Sequence, residues 1–198
     1  MKASILYAVV FSILLHPLVA SATLSKNALS FAYNVKLIDM KNHHESKILD
    51  SLEAVRDVIG SEEFKEAILK HRFLGQKKFA NNSGFTNLEI YHKIIAGAER
   101  LNPEKNNMMD LEIELFSDYK SNTVGYTWTG SDRIFINKKY FEGRCSPKVA
   151  GSLVHEWLHK LGFRHDVNKT RHRRYSVPYA VGSLVVKLAH SRSSNHRH

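Results

Sequence analysis

Residues 146–165 read Ser-Pro-Lys-Val-Ala-Gly-Ser-Leu-Val-His-Glu-Trp-Leu-His-Lys-Leu-Gly-Phe-Arg-His. Val149, Ala150, Leu153, Val154, Trp157, Leu158 and Leu161 give this stretch more apolar surface than a solvent-exposed helix carries. Ser146 is the expected N-cap, and Pro147 suits the first helical position, where its missing N–H has no partner to lose. Gly162 is the residue expected just past a helix that ends in a left-handed turn. A buried helix from Pro147 to Leu161 is therefore predicted.

His155 and His159 are four residues apart on that helix, so their Cβ atoms lie about 5–6 Å from each other on one face. That separation lets both imidazoles approach one metal ion at about 2.0–2.1 Å. A third ligand further along a straight helix would lie too far off. The break at Gly162 lets the chain reverse so that His165 can approach from another direction. Three protein ligands leave a fourth position for water, the arrangement of a catalytic zinc rather than a structural one. Glu156 is placed to reach that water as general base. The sequence thus predicts one catalytic Zn2+ held by His155, His159 and His165. The plain alternative is that a chain with twelve histidines scattered three of them here. Burying three unpaired imidazoles beside a carboxylate would be costly.

Working outward, the segment Leu29–Leu37 alternates apolar and polar residues as a half-buried strand does. Helices follow over Glu45–Ile59, from a cap at Ser61 to about Arg72, and over Asn87–Arg100, the last ended by Asn102-Pro103. Gln76–Gly84 is polar and reads as a loop. Leu111, Ile113 and Leu115 alternate with Glu112 and Glu114 as a strand with one wet face. Thr123–Thr129 and Arg133–Asn137 form strands around a turn at Gly130-Ser131-Asp132. The expected fold class is α+β: a mixed, mostly parallel sheet with an antiparallel edge strand, packed on helices that include 147–161.

The chain has 198 residues, enough for one domain. Lys2, the apolar run Ile5–Leu15 and Ala20-Ser21-Ala22 read as an export signal, 1–22, cleaved after Ala22. The domain then spans 23–190, and 191–198 reads as a disordered polar tail. A secreted or periplasmic location follows, with no membrane span. Cys145 is the single cysteine, so no internal disulfide forms. The formal charge is +10, which favours encounter with anionic surfaces or polymers. No nucleic-acid motif accompanies it, so no specific nucleic-acid partner is expected.

His155 to His165 resembles the long zinc signature of the metzincin metallopeptidases, a clan that includes astacins, adamalysins and matrixins. The order of strands and helices is compatible with a metzincin-like catalytic domain. The resemblance implies that the three histidines bind zinc and that Glu156 activates water. It also implies that the strand upstream, Thr123–Thr129 by order, pairs with extended substrate. Asp166 after the third histidine looks like the adamalysins. The chain departs from the clan at its methionine-containing turn, since no Met follows Met109. Tyr175-Ser176-Val177-Pro178-Tyr179 resembles that turn as the astacins write it, with Pro178 in the methionine's place and the turn closed by proline's fixed φ. By the same resemblance Tyr179, or failing that Tyr175, is a candidate to assist at the metal, against the plain reading of a half-buried core tyrosine.

The resulting expectation is a monomeric, secreted zinc metalloendopeptidase that takes protein or peptide substrate in extended form. Two other readings stand beside it: a zinc amidase acting on an envelope polymer such as peptidoglycan, and a non-catalytic zinc-stabilised binding module. His43-His44, His71, His92 and His172 lie outside any ligand spacing, with the first two expected in solvent. Asp166 is expected to orient the site. Arg171, Arg173 and Arg174 read as a solvated basic loop, with reception of acidic substrate side chains as the alternative, and Cys145 as a structural or incidental thiol, with contact to the metal in an inhibited state as its weaker reading.

Overall fold

The computed structural model describes residues 31–128 and 130–195. The expected signal at 1–22, the start of the strand at Leu29, Thr129 and the last three residues lie outside them.

Four strands form one mixed sheet: β1 (Ala32–Ile38), β2 (Met108–Phe116), β3 (Gly125–Thr127) and β4 (Arg133–Asn137), in spatial order β1-β2-β4-β3. β1 and β4 run parallel to β2, and β3 runs antiparallel to β4 at the edge, with Tyr126 opposite Phe135. The α+β class with a mostly parallel sheet and an antiparallel edge strand is what the patterning predicts, although β3 is only three residues long.

The sheet's two faces follow from the two-residue period. Met109, Leu111, Ile113, Ile134 and Ile136 are buried on the inner face. The outer face carries charge: Lys36 Nζ donates to Glu112 at 3.0 Å, and Arg133 donates to Glu114 at 2.7 Å.

Helix α1 (Asn42–Ile59) buries Ile48, Leu52, Val55 and Ile59 along one stripe. It starts earlier than the apolar pattern suggests. His44, expected in solvent, is only 6% exposed, with its ring edge-on to Phe141 at 5.4 Å. Burial first, and then the neighbouring His43, hold its pKa below the ordinary histidine range. Helix α2 (Glu62–Lys70) is capped as expected, since Ser61 Oγ accepts from the Phe64 N–H. Helix α3 (Asn87–Ala96) starts with a reciprocal capping box between Thr86 and Glu89. It ends at Gly97, earlier than Asn102-Pro103 implied, because Gly97 adopts a φ of 66°. A Cβ there would lie 2.8 Å from the Met108 amide nitrogen, so the backbone of β2 leaves room for glycine alone.

A short helix α4 (Lys138–Phe141) leads into α5 (Ser146–Lys160), the helix that carries the histidines. Its N-cap is Cys145, one residue before the expected Ser146, and no side chain caps it. Helix α6 (Arg171–Arg174) is a single turn, and α7 (Val177–Asn195) packs along α5 and α1. Two expectations are corrected here. Pro178 does not close a tight turn: it lies in the first turn of α7, where a missing N–H leaves no bond unmade. Ser191–Asn195, read as tail, continue α7. Arg192 holds this end down by donating to the Asp57 carbonyl and, at 3.1 Å, to Glu63.

Trp157, fully buried, sits near the centre of the core, with the Phe31 ring edge-on at 5.7 Å. The loop 76–84 is anchored where the polar reading saw none: Phe79 is buried, and the Ala80 N–H donates to the Tyr175 carbonyl at 3.0 Å.

Candidate metal centre

Helix α5 presents His155 and His159 side by side, with ring centroids 5.1 Å apart. Its end is a Schellman turn: the Gly162 N–H donates to His159 O and the Phe163 N–H to Leu158 O, both at 3.0 Å. Gly162 takes the left-handed φ of 93° that this turn requires. Buried Phe163 then pins the reversed chain, and His165 comes back to face the other two. Its ring centroid lies 5.1 Å from that of His155 and 4.9 Å from that of His159. The ligand atoms of the three histidines all lie within 4.8 Å of one another, with His155 Nε2 and His165 Nε2 3.3 Å apart.

The other side of two of the rings is held by backbone. His159 Nδ1 bonds the Phe163 carbonyl at 2.8 Å, and His165 Nδ1 bonds the Asp166 carbonyl at 2.9 Å. The His155 ring lies near the Pro178 backbone. With Nδ1–H donating outward, the Nε2 lone pairs of His159 and His165 are free to face inward, the tautomer a metal ligand needs. Burial, followed by the proximity of His159 and His165, pushes the His155 pKa down to about 3. Burial also lowers that of His159. Both are thus kept neutral, as ligands must be.

Glu156 is buried beneath the edge strand, and that burial pushes its pKa up to about 8. Gly125 of β3 lies alongside it: a Cβ there would meet Glu156 Oε1 at an ordinary 3.6 Å but would crowd the Phe135 carbonyl at 2.9 Å. Glu156 and the three histidines line one cleft of about 860 Å³, whose opposite wall is the edge segment 122–127. The strand expected beside substrate therefore does border the site.

Helix α7 reaches the site through a close helix crossing. A Cβ on Gly151 would strike Val186 and come within 2.6 Å of the Gly182 carbonyl, and one on Gly182 would lie 2.8 Å from the Gly151 carbonyl. One turn along from this contact, the Tyr179 ring stands edge-on to His155 at 4.5 Å and to His165 at 4.7 Å. Arg173 lies over the same ring at 4.9 Å. Tyr179 thus belongs to the cluster, while Tyr175 packs elsewhere, tilted against Phe73 at 5.3 Å.

Other residues sort differently. The Asp166 carboxylate accepts from Asn81 at 2.8 Å and from Thr170, so it shapes the loop after His165, and its backbone carbonyl orients the imidazole. Arg171 and Arg174 are exposed, as a solvated basic loop implies, whereas Arg173 lines the cleft, where the alternative reading of this loop would have it. Cys145 is ten residues before His155, at the far end of α5, with its Sγ 3.7 Å from His190 Nε2. His71 is stacked on Phe79 at 3.9 Å, away from the cluster.

A buried polar group behind the helix gave no sequence signal. Glu99, 1% exposed, accepts from the Asp110 amide at 3.1 Å and from the Trp157 indole. Lys160 donates to the Asp110 carbonyl at 2.6 Å and the Asp132 carbonyl at 3.2 Å. These contacts tie the C-terminal turn of α5 to β2 and to the loop after α3, so the histidines stand on a clamped helix. Gly151, in the middle of a helical apolar pattern, was the one legible hint of a close helix contact.

A scan of protein-family models and a search of curated proteins found no match to this chain.

Proposed function

We propose that the protein is an exported zinc-dependent endopeptidase of metzincin type. The observation that carries the reading is the convergence of His155, His159 and His165 beside the buried Glu156, in a cleft walled by an edge strand. The donor set fits zinc: three imidazoles, two of them with Nδ1 hydrogen-bonded to backbone carbonyls, and, among the described residues, no thiolate or fourth side-chain ligand in the group. When bound, zinc supplies Lewis acidity and lowers the pKa of a water molecule toward about 7. Glu156 takes the proton from the attacking water on its carboxylate and delivers it to the leaving amide nitrogen. The edge strand β3 offers main-chain groups to an extended peptide, which gives affinity with little demand on sequence. Tyr179 holds the His155 and His165 rings in place through its own ring.

Purified residues 23–198 loaded with zinc are expected to cleave an unstructured protein, to stop under a chelator, and to recover when zinc returns. Glu156→Gln is expected to bind one zinc per chain and to lose about 10²–10⁴-fold in rate. A variant that cleaves at the wild-type rate sinks the mechanism. A chain that turns over cell-wall fragments but no polypeptide points instead to the amidase.

A further inference from the structure

The cleft carries cations that the protein leaves without counter-charge. Arg144 and Lys148, at the start of α5, and Lys169 and Arg173, after His165, all line it, whereas Glu156 is the sole carboxylate in its lining. Among the described residues, none of these four cations forms a salt bridge. Outside the cleft, Arg133 pairs with Glu114 and Glu112, and the buried Lys160 with Asp132 and two carbonyls.

Arg144 is the most constrained of the four. Its Nη1 donates to Ser152 Oγ at 2.9 Å, and that hydroxyl donates in turn to the Lys148 carbonyl at 3.0 Å. Its guanidinium lies over the Tyr140 ring at 5.5 Å. The side chain is half-buried, and its desolvation is reflected in a lowered pKa. One N–H of the fork is used for anchoring, and the rest have no protein acceptor among the described residues. A desolvated, pre-oriented guanidinium without a carboxylate is unfavourable until a ligand provides one. On Arg173 likewise, Nε is buried and has no partner among the described residues, while Nη1 is held by the Val167 carbonyl at 2.8 Å.

We infer that the cleft selects acidic peptides, with Arg144 receiving an Asp or Glu side chain close to the scissile bond. Lys148, Lys169 and Arg173 supply the field that concentrates such chains at the cleft. The cleavage itself rests on the peptidase reading, but the binding preference does not.

Binding is therefore measured on zinc-loaded Glu156→Gln, with two fluorescein-labelled extended peptides identical except for a central Glu-Glu or Gln-Gln pair. The acidic peptide is expected to bind at least about tenfold more tightly. The preference should shrink when salt is raised from about 50 to about 500 mM. Adding Arg144→Gln should bring the two affinities within about twofold, whereas Lys36→Gln, which removes the same charge on the far edge of the sheet, should keep the difference. Equal affinities in the parent, or a preference that survives Arg144→Gln with zinc still bound, overturn the inference. Displacement of the acidic peptide by a single-stranded oligonucleotide at lower concentration than by unlabelled acidic peptide also overturns it. Failure of the zinc-loaded wild-type chain to cleave either peptide counts against the peptidase reading alone, since the binding comparison is made without cleavage.

Discussion

His155 and Glu156 are neighbours in sequence with opposite pH signatures. Glu156, raised by burial to about 8, stays protonated in the folded metal-free chain while its unfolded counterpart ionises near pH 4.5. Its contribution to stability is therefore complete below pH 4.5 and is lost as pH rises toward 8. His155, lowered to about 3, stays neutral in the fold while the unfolded chain takes up its proton below about pH 6.5. That contribution is present above pH 6.5 and is lost as pH falls toward 3. The windows overlap between pH 4.5 and 6.5, where the two effects oppose each other. Between pH 6.5 and 8 Glu156 acts alone of the pair. Thermal unfolding under a chelator is expected to show the wild-type chain losing stability across that upper window, by about 2 kcal/mol. The same scan on Glu156→Gln should be nearly flat there. An equal decline in both chains would assign the loss to other groups.

At the scale of elements, two glycine positions set where the ligands stand. Gly162 supplies the φ of 93° that ends α5 and turns His165 back. Gly162→Ala places an L side chain in that region and is expected to cost about 1–2 kcal/mol. Zinc affinity should fall with it, since His165 depends on the reversal; isothermal titration with zinc beside a denaturant melt checks both. Gly151 and Gly182 set the spacing of α5 against α7. A Cβ at Gly151 meets Val186 and the Gly182 carbonyl, so Gly151→Ala must push α7 aside at about 1–3 kcal/mol. Because α7 carries Pro178 and Tyr179, zinc affinity is expected to drop as well. Unchanged zinc binding in a destabilised Gly151→Ala chain would separate the helix crossing from the site.

At the scale of the whole molecule, the described fold has no disulfide to brace it, and a single cluster gathers ligands from α5 and from the segment that follows it. A metal there cross-links the end of α5 to the returning chain in the native state only. Zinc at about one hundred times its Kd should therefore stabilise the chain by about 2.7 kcal/mol. For a chain of this size that is a rise of about 5–10 °C in Tm. Calorimetric scans with and without chelator measure it, and an unshifted Tm at saturating zinc would mean that the metal binds elsewhere or also to the unfolded chain.

Sequence alone determined what is local. The spacing of His155 and His159, the break at Gly162 and the cap at Ser61 were legible because helix periodicity and terminal geometry act over a few residues. The alternating strands and the α+β class were legible for the same reason. Tertiary structure alone decided what depends on residues far apart meeting. The Glu99–Trp157 and Lys160–Asp110 contacts, the Gly151–Gly182 crossing, the approach of Gly125 to Glu156 and the Tyr179 ring against two histidines each join elements well separated in sequence. Tertiary packing also overruled local patterning in two places. His44 is buried because Phe141 comes to lie against it, and Ser191–Asn195 are helical because Arg192 finds Asp57 and Glu63. Short-range stereochemistry is written in adjacent residues, whereas burial and charge are properties of what the rest of the chain brings alongside.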